Sequence, residues 1–194
     1  SVLEKIKKIC LKNNILLFLD EVQSGFGRSG KLFSYEWSNI EPDIMATAKG
    51  IGSGFPMGAC IATEKATIAM TKGMHGSTFG GNDLAVAVGT SVIEQIMKKG
   101  FLKKVDQISK YFWFELKKLE IMFDEIIEVR GAGLLLGIKT KNENKKIINL
   151  LTKKGLLTLP ASDNIIRLAP PLIIGKKEVD KAIKIISETL NSIK

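Results

Sequence analysis

The sequence predicts an α/β protein: a first part built on a mainly parallel sheet, then a small C-terminal α+β domain. Three observations predict it. Residues 1–100 alternate helix-like and strand-like patterns, the order expected of a parallel sheet with covering helices. The first strand-like run, residues 15–19, is apolar throughout, as in a strand covered on both faces. After Gly100 the texture changes to one long helical repeat followed by short strands and helices. The boundary is therefore placed near residue 100, giving domains 1–100 and 101–194.

The elements follow in order. Residues 1–14 read as an amphipathic helix with Val2, Leu3, Ile6, Ile9 and Cys10 on one face. The strand at 15–19 ends at Asp20 and opens into a long glycine-rich loop, 21–41, of a kind that is usually functional in a compact domain. Strands are predicted at 43–48 and 57–62, with the turn GIGSGFPMG between them, and a short helix at 64–70. A second glycine-rich loop, TKGMHGSTFGGN, precedes a helix that Asn82 can cap, with Asp83 near its positive end. That helix carries Leu84, Val88, Val92 and Ile96 on one face. The helix predicted at 101–123 carries Val105, Ile108, Phe112, Leu116 and Leu119. Strand-like LLLGIKT, helix-like NKKIINLLTKKG, strand-like LLTL and IIRLA, and a closing helix from Lys176 to about Asn191 complete the pattern.

Composition excludes several classes. A chain of 194 residues with 45% apolar content can bury a sizeable core. No apolar run approaches the about 18 residues that cross a bilayer, so no membrane partner is expected. The first segment lacks the apolar centre and cleavage site of a signal peptide. The chain begins without Met, which points to a piece of a longer protein. Cys10 and Cys60 sit in apolar segments and read as reduced, buried thiols, which implies a cytoplasmic setting. No metal site is expected. The net charge of +9 is spread over lysine pairs on helix faces, without aromatic interleaving, so a solvated surface is expected and no nucleic acid. The only arginines are Arg28, Arg130 and Arg167; in so lysine-biased a chain each marks a place where a planar guanidinium fork matters.

The stretch LLFLDEVQSGFGRSGK, residues 16–31, partly fits two nucleotide motifs and fails both. As a P-loop it has Leu32 where Ser or Thr should hold Mg²⁺. As a dinucleotide fingerprint, DEVQS separates the strand from the glycines, and Tyr35, Trp37 and Pro42 oppose the helix that should follow. What remains is Asp20 at the carboxyl end of one strand and Lys49 at the end of another, the edge where open α/β sheets bind ligands. A structural ion pair is one reading, and a solvated lysine is equally open. A third is pyridoxal phosphate chemistry, in which an amine condenses with the aldehyde and a carboxylate keeps the pyridine nitrogen protonated.

LLFLDEVQSGFGRSGKLFSYE, PDIMATAKGIGSGFPMGACIAT, HGSTFGGNDLA and IIRLAPPL together resemble the class III pyridoxal-phosphate aminotransferases, over nearly the whole chain. The resemblance implies a fold-type I PLP-transferase: residues 1–100 would be the C-terminal part of its large, cofactor-binding domain. It implies pyridoxal 5'-phosphate as cofactor, amino-acid and 2-oxo-acid substrates, and a homodimer with an active site shared between subunits. Lys49 would bind the cofactor aldehyde and carry a proton between substrate Cα and cofactor C4′. Asp20 would pair with the ring nitrogen, Val22 would pack on the ring, and Gln23 would bond the phenolic oxygen, with Glu21 among the cofactor contacts. Thr78 would bind phosphate in the neighbouring subunit's site, Ser77 would lie near the substrate, and Arg167 would hold its α-carboxylate. His75, the only histidine, would brace the loop, and Arg28 and Arg130 would be structural. Asp83 stands where the family often has Pro; both suit the first turn of a helix. The resemblance also implies that this is the C-terminal half of the usual subunit, without the N-terminal phosphate loop, ring-stacking aromatic and substrate-selecting Arg. Alone, the chain would bind cofactor weakly or not at all.

Overall fold

The hydroxyl of Ser1 accepts the Glu4 amide at 3.2 Å and starts helix α1 (Val2–Lys12). The helix is held less by its apolar residues than by one ion pair. Lys7 Nζ donates to Asp43 Oδ2 at 2.8 Å, and the same oxygen accepts the Leu17 amide at 2.7 Å. The expected apolar face is not covered: Val2, Ile6 and Ile9 are 74%, 41% and 59% exposed. This computed structural model describes residues 1–193. The chain divides into two units, Ser1–Leu102 and the remainder from Lys103.

The first unit carries a three-stranded sheet in the order β1 (Phe18–Asp20), β2 (Ile44–Ala48), β3 (Gly58–Ala62). β1 and β2 are parallel, whereas β2 and β3 are antiparallel, so this sheet is mixed rather than mainly parallel. The reason is the connection. Residues 49–57 suffice for a tight return, while a parallel crossover needs a dozen or more residues. The pairing places Phe18, Asp20, Ile44, Ala46, Ala48 and Cys60 on one face and Leu19, Met45, Thr47, Ala59 and Ile61 on the other. Met45 and Thr47 are buried, and Ala59 packs on a core cluster of Phe26, Ile51 and Ile96. The Asp20 face is open: Phe18 is 53% exposed, and Cys60 is exposed rather than buried as expected.

Helix α2 (Glu64–Thr67) is a single turn, shorter than predicted. Helix α3 (Asp83–Met97) begins as predicted, with Asn82 Oδ1 accepting the Ala85 amide at 2.9 Å. Its packed stripe is Ala85, Gly89, Val92 and Ile96 rather than one running through Leu84, which is exposed. Small residues let the helix approach: a Cβ on Gly89 would lie 2.9 Å from the Met57 methyl.

In the second unit four antiparallel strands run in the order β4-β5-β7-β6: β4 (Ile126–Ala132), β5 (Leu135–Thr140), β6 (Leu159–Ala161) and β7 (Ile165–Leu168). The sequence predicts no strand at β4, and β6 overlaps the expected LLTL only at Leu159, with Pro160 tolerated because β6 is an edge. Val129, Leu136, Ile138, Ile166 and Leu168 share the buried face. Helices α4 (Phe101–Met122), α5 (Asn144–Lys153) and α6 (Lys176–Asn191) bury matching stripes, among them Leu116, Leu151 and Val179 at 0% exposure.

Two outcomes are expected. The Lys7 hydrogen bond first, and then the Leu17 amide, hold the Asp43 carboxyl below its usual range. The stability it contributes is therefore complete above an ordinary carboxylate pKa of about 4 and is lost as pH falls through the lower folded value. Asp43→Asn should cost about 1–2 kcal/mol at neutral pH and flatten the acid limb of a denaturation profile; an unchanged acid limb would contradict the coupling. In the second unit, Leu151→Ala should cost about 2–5 kcal/mol by urea unfolding, against near-zero for Leu157→Ala, which is 83% exposed.

Candidate active site

The sheet ends in two loops that determine where its chemistry can sit. Asp20 closes β1, and its Oδ1 accepts the Val22 amide at 2.9 Å. That bond fixes the carboxylate at one oxygen; among the described residues Oδ2 makes no hydrogen bond, so it can still accept an N–H. The Glu21 amide continues the ladder to Ala46 O at 2.8 Å, which brings the loop off β1 alongside β2.

Glu21 itself turns inward. It is 1% exposed; Oε1 accepts from the Ser34 hydroxyl at 2.6 Å and the Tyr35 amide at 3.0 Å, and Oε2 accepts from the Ser24 hydroxyl. Both oxygens are engaged inside the loop, so the carboxylate pins the two ends of the loop together. Val22 and Gln23, between these anchors, are half-buried. Near the same loop, burial first, then the charges of Glu36, Glu41 and Glu21, raise the pKa of Tyr35. Arg28 is half-buried inside the loop, and desolvation lowers its pKa.

Lys49 follows β2, where the pleat should reverse direction. Ala48 shares the open face with Asp20, so an extended residue 49 would point to the covered face with Met45 and Thr47. Lys49 instead has φ 46°, a left-handed conformation that costs a non-glycine residue about 1–2 kcal/mol, and it is exposed. The chain then makes a 3₁₀ turn, Lys49–Gly52, closed by the Ser53 amide bonding to Lys49 O and Gly50 O, each at 3.2 Å. Among the described residues Lys49 makes no ion pair, so the structural ion-pair reading of Lys49 with Asp20 fails. An unpaired amine and a half-engaged carboxylate, at the carboxyl ends of two parallel neighbours, fit an electrophilic aldehyde and a ring N–H respectively.

The second glycine-rich loop is exposed throughout, including His75, Ser77 and Thr78. Its order comes from Ser77, whose Oγ accepts the Gly80 amide at 3.0 Å, and from Asn82, whose side-chain amide donates to Phe79 O at 2.7 Å. His75 takes no part in these bonds. Arg167 belongs to the second unit. It is half-buried on β7, with Nη2 donating to Pro160 O at 3.4 Å. The register sets Arg130, Gly137 and Arg167 in one cross-strand row, and Arg130 reaches Asp163 at 3.5 Å and Glu128 at 3.8 Å. Among the described residues no helix is long and apolar enough to cross a membrane.

The family described as "Aminotransferase class-III" matches residues 1–190. The acetylornithine aminotransferase of Mesorhizobium japonicum is 47% identical over 182 residues, 93% of this chain and 46% of that protein. That of Caldanaerobacter subterraneus is 44% identical over 190 residues, 97% of this chain and 48% of that protein. Among solved structures, the acetylornithine aminotransferase of Elizabethkingia anophelis matches with TM-score 0.91 at 34% identity, over 98% of this chain and 49% of that one. The ornithine aminotransferase of Plasmodium yoelii matches with TM-score 0.92 at 32% identity, over 99% and 52%. The chain thus spans about half the length of the relatives it matches. With the matched segment running from residue 1 to residue 190, the chain belongs to the class-III aminotransferase family.

Proposed function

We propose that the complete protein is a pyridoxal-phosphate-dependent aminotransferase that moves an amino group between N-acetylornithine and 2-oxoglutarate, a step of arginine biosynthesis. The observation that carries the proposal is the pairing just described: an exposed, unpaired Lys49 amine and an Asp20 carboxylate with one open oxygen, at the ends of adjacent parallel strands. The substrate assignment rests on the relatives that bear the acetylornithine name at 39–47% identity.

When bound, pyridoxal phosphate supplies an electron sink for the carbanion formed at substrate Cα. The chain's own residues do the rest. Asp20 would keep the ring nitrogen protonated, its oxygen not engaged by Val22 being available to accept that N–H. Lys49 would be the residue that holds the cofactor through Nζ, its amine condensing with the aldehyde with loss of water, and as a free amine it would take the substrate Cα proton and return it at C4′. Val22 packs against the ring and Gln23 donates to the phenolic oxygen. Thr78, on the exposed loop, donates to phosphate in the site of a second subunit, which makes the enzyme a homodimer with shared sites. Ser77 lies near the substrate. Arg167 grips the α-carboxylate with two parallel N–H bonds, which a lysine cannot reproduce. Residues 1–100 then form part of the large cofactor-binding domain and residues from 101 a small C-terminal domain. The apolar side chains exposed on α1 and β1, Val2, Ile9 and Phe18 among them, are on this reading where the rest of the polypeptide packs. Free Cys10 and Cys60 suit a reducing, cytoplasmic setting.

In the full-length protein with added cofactor, an absorbance band of lysine-bound pyridoxal phosphate is expected, absent in Lys49→Ala. Asp20→Asn should keep bound cofactor but lower kcat by roughly 10²–10⁴-fold, since the ring is no longer held protonated. Arg167→Lys should raise KM for amino acids more than it lowers kcat. No band in the full-length parent protein would overturn the aminotransferase reading and favour a non-enzymatic protein. Faster turnover of ornithine, succinylornithine or 4-aminobutyrate than of N-acetylornithine would overturn the substrate assignment and leave the chemistry standing.

A further inference from the structure

We propose that Phe26 is a positioning residue for Lys49, acting through Gly50. The proposal rests on the reading of Lys49 as the amine that takes the cofactor. Three observations carry it. Phe26 is 5% exposed and, like Lys49, holds a left-handed backbone, with φ 52°. The two strained residues meet across Gly50. A Cβ built on Gly50 would lie 2.9 Å from Phe26 Cβ and 3.7 Å from both its Cγ and the Gly25 carbonyl oxygen. Phe26 is itself fixed from behind: its ring meets Phe33 edge-on at a centroid distance of 5.4 Å, and it shares one apolar cluster with Ile51, Ile96, Val92 and Met57.

The logic is steric. Residues in left-handed conformations persist only where their surroundings over-determine them, and such residues concentrate at functional sites. The turn after Lys49 has no side chain on Gly50 because Phe26 fills that space, so the turn cannot move toward the loop without displacing a buried ring. On the far side Ile51 is anchored in the same cluster. Phe26 therefore clamps the peptide that follows Lys49 and keeps that residue out of the extended conformation that would send its amine to the covered face. Its own unfavourable φ follows from the close approach: flanked by Gly25 and Gly27, it must present Cβ, not only the ring, to Gly50.

The test is a double-mutant cycle in the full-length protein, with two readouts. The first is amide exchange at Ser53, whose N–H closes the Lys49 turn and reports on it with or without cofactor. The second is the pH midpoint of the lysine-bound cofactor band. Phe26→Gly and Gly50→Ala should each speed Ser53 exchange about tenfold, and the double variant should be no faster than either. Both single variants should shift the band's midpoint, and the double variant should move it back toward the parent. Phe26→Leu, which keeps Cβ and an apolar side chain, should retain the parent exchange rate and midpoint, and it keeps the test open if Phe26→Gly does not fold. Additive effects in the cycle, or variants that only lower Tm while exchange and midpoint stay at parent values, would overturn the proposal. Coupled Ser53 exchange without any cofactor band would uphold the clamp and defeat the reading of Lys49 instead.

Discussion

The site turns on one reversed residue. A β-strand delivers side chains alternately to two faces, and by that rule the residue after Ala48 belongs under the sheet. The left-handed backbone at Lys49 breaks the rule where β2 ends, and the residue stays exposed. The conformation is unfavourable in isolation, so it exists only because its surroundings exclude the alternatives. Ser53 closes the turn with two backbone bonds, Ile51 is buried behind it, and Phe26 occupies the space beside Gly50. The buried Glu21 carboxylate belongs to the same device. By tying Ser24, Ser34 and the Tyr35 amide together, it holds the loop that carries Phe26.

Asp20 is positioned more simply, by strand pairing. Its register with Ala46 sets it on the open face, and the Val22 amide fixes one oxygen. A strained turn and an unstrained strand end thus deliver two complementary groups to neighbouring positions on one sheet edge. Left-handed backbone occurs at Lys49, at Ser53 in the same turn and at Phe26 beside it, whereas Asp20 sits in ordinary strand pairing. The second glycine-rich loop follows a different principle. It is exposed throughout and ordered by its own short-range bonds from Gly80 and Asn82, so it can present Ser77 and Thr78 without burying either.

Much of this was legible in the sequence, and the exceptions have physical causes. The Asn82 cap and the long α4 stripe through Val105, Phe112, Leu116 and Leu119 could be read because capping and helical spacing are local. Asp20 and Lys49 could be read because they end strand-like runs. β4 was missed because a register irregularity between Ile126 and Glu128 breaks its two-residue alternation. The α3 stripe was misplaced because large apolar residues dominate a periodicity reading, while Ala85 and Gly89 do the packing by being small. The mixed sheet follows from the short turn between the strands at 43–48 and 57–62, which is legible in the sequence and too short for a parallel crossover. Neither the inward turn of Glu21 nor the clamp at Phe26 has a local signature beyond the glycines that flank Phe26, since both are produced by contacts between segments distant in sequence.

The amine of the reversed residue is proposed to be the one that holds the cofactor. Borohydride reduction of the full-length protein with pyridoxal phosphate, followed by peptide mass mapping, tests it most directly. The reduced pyridoxyl group is expected on Lys49 alone among the chain's many lysines. A label distributed over surface lysines, or concentrated on a lysine elsewhere, would contradict it.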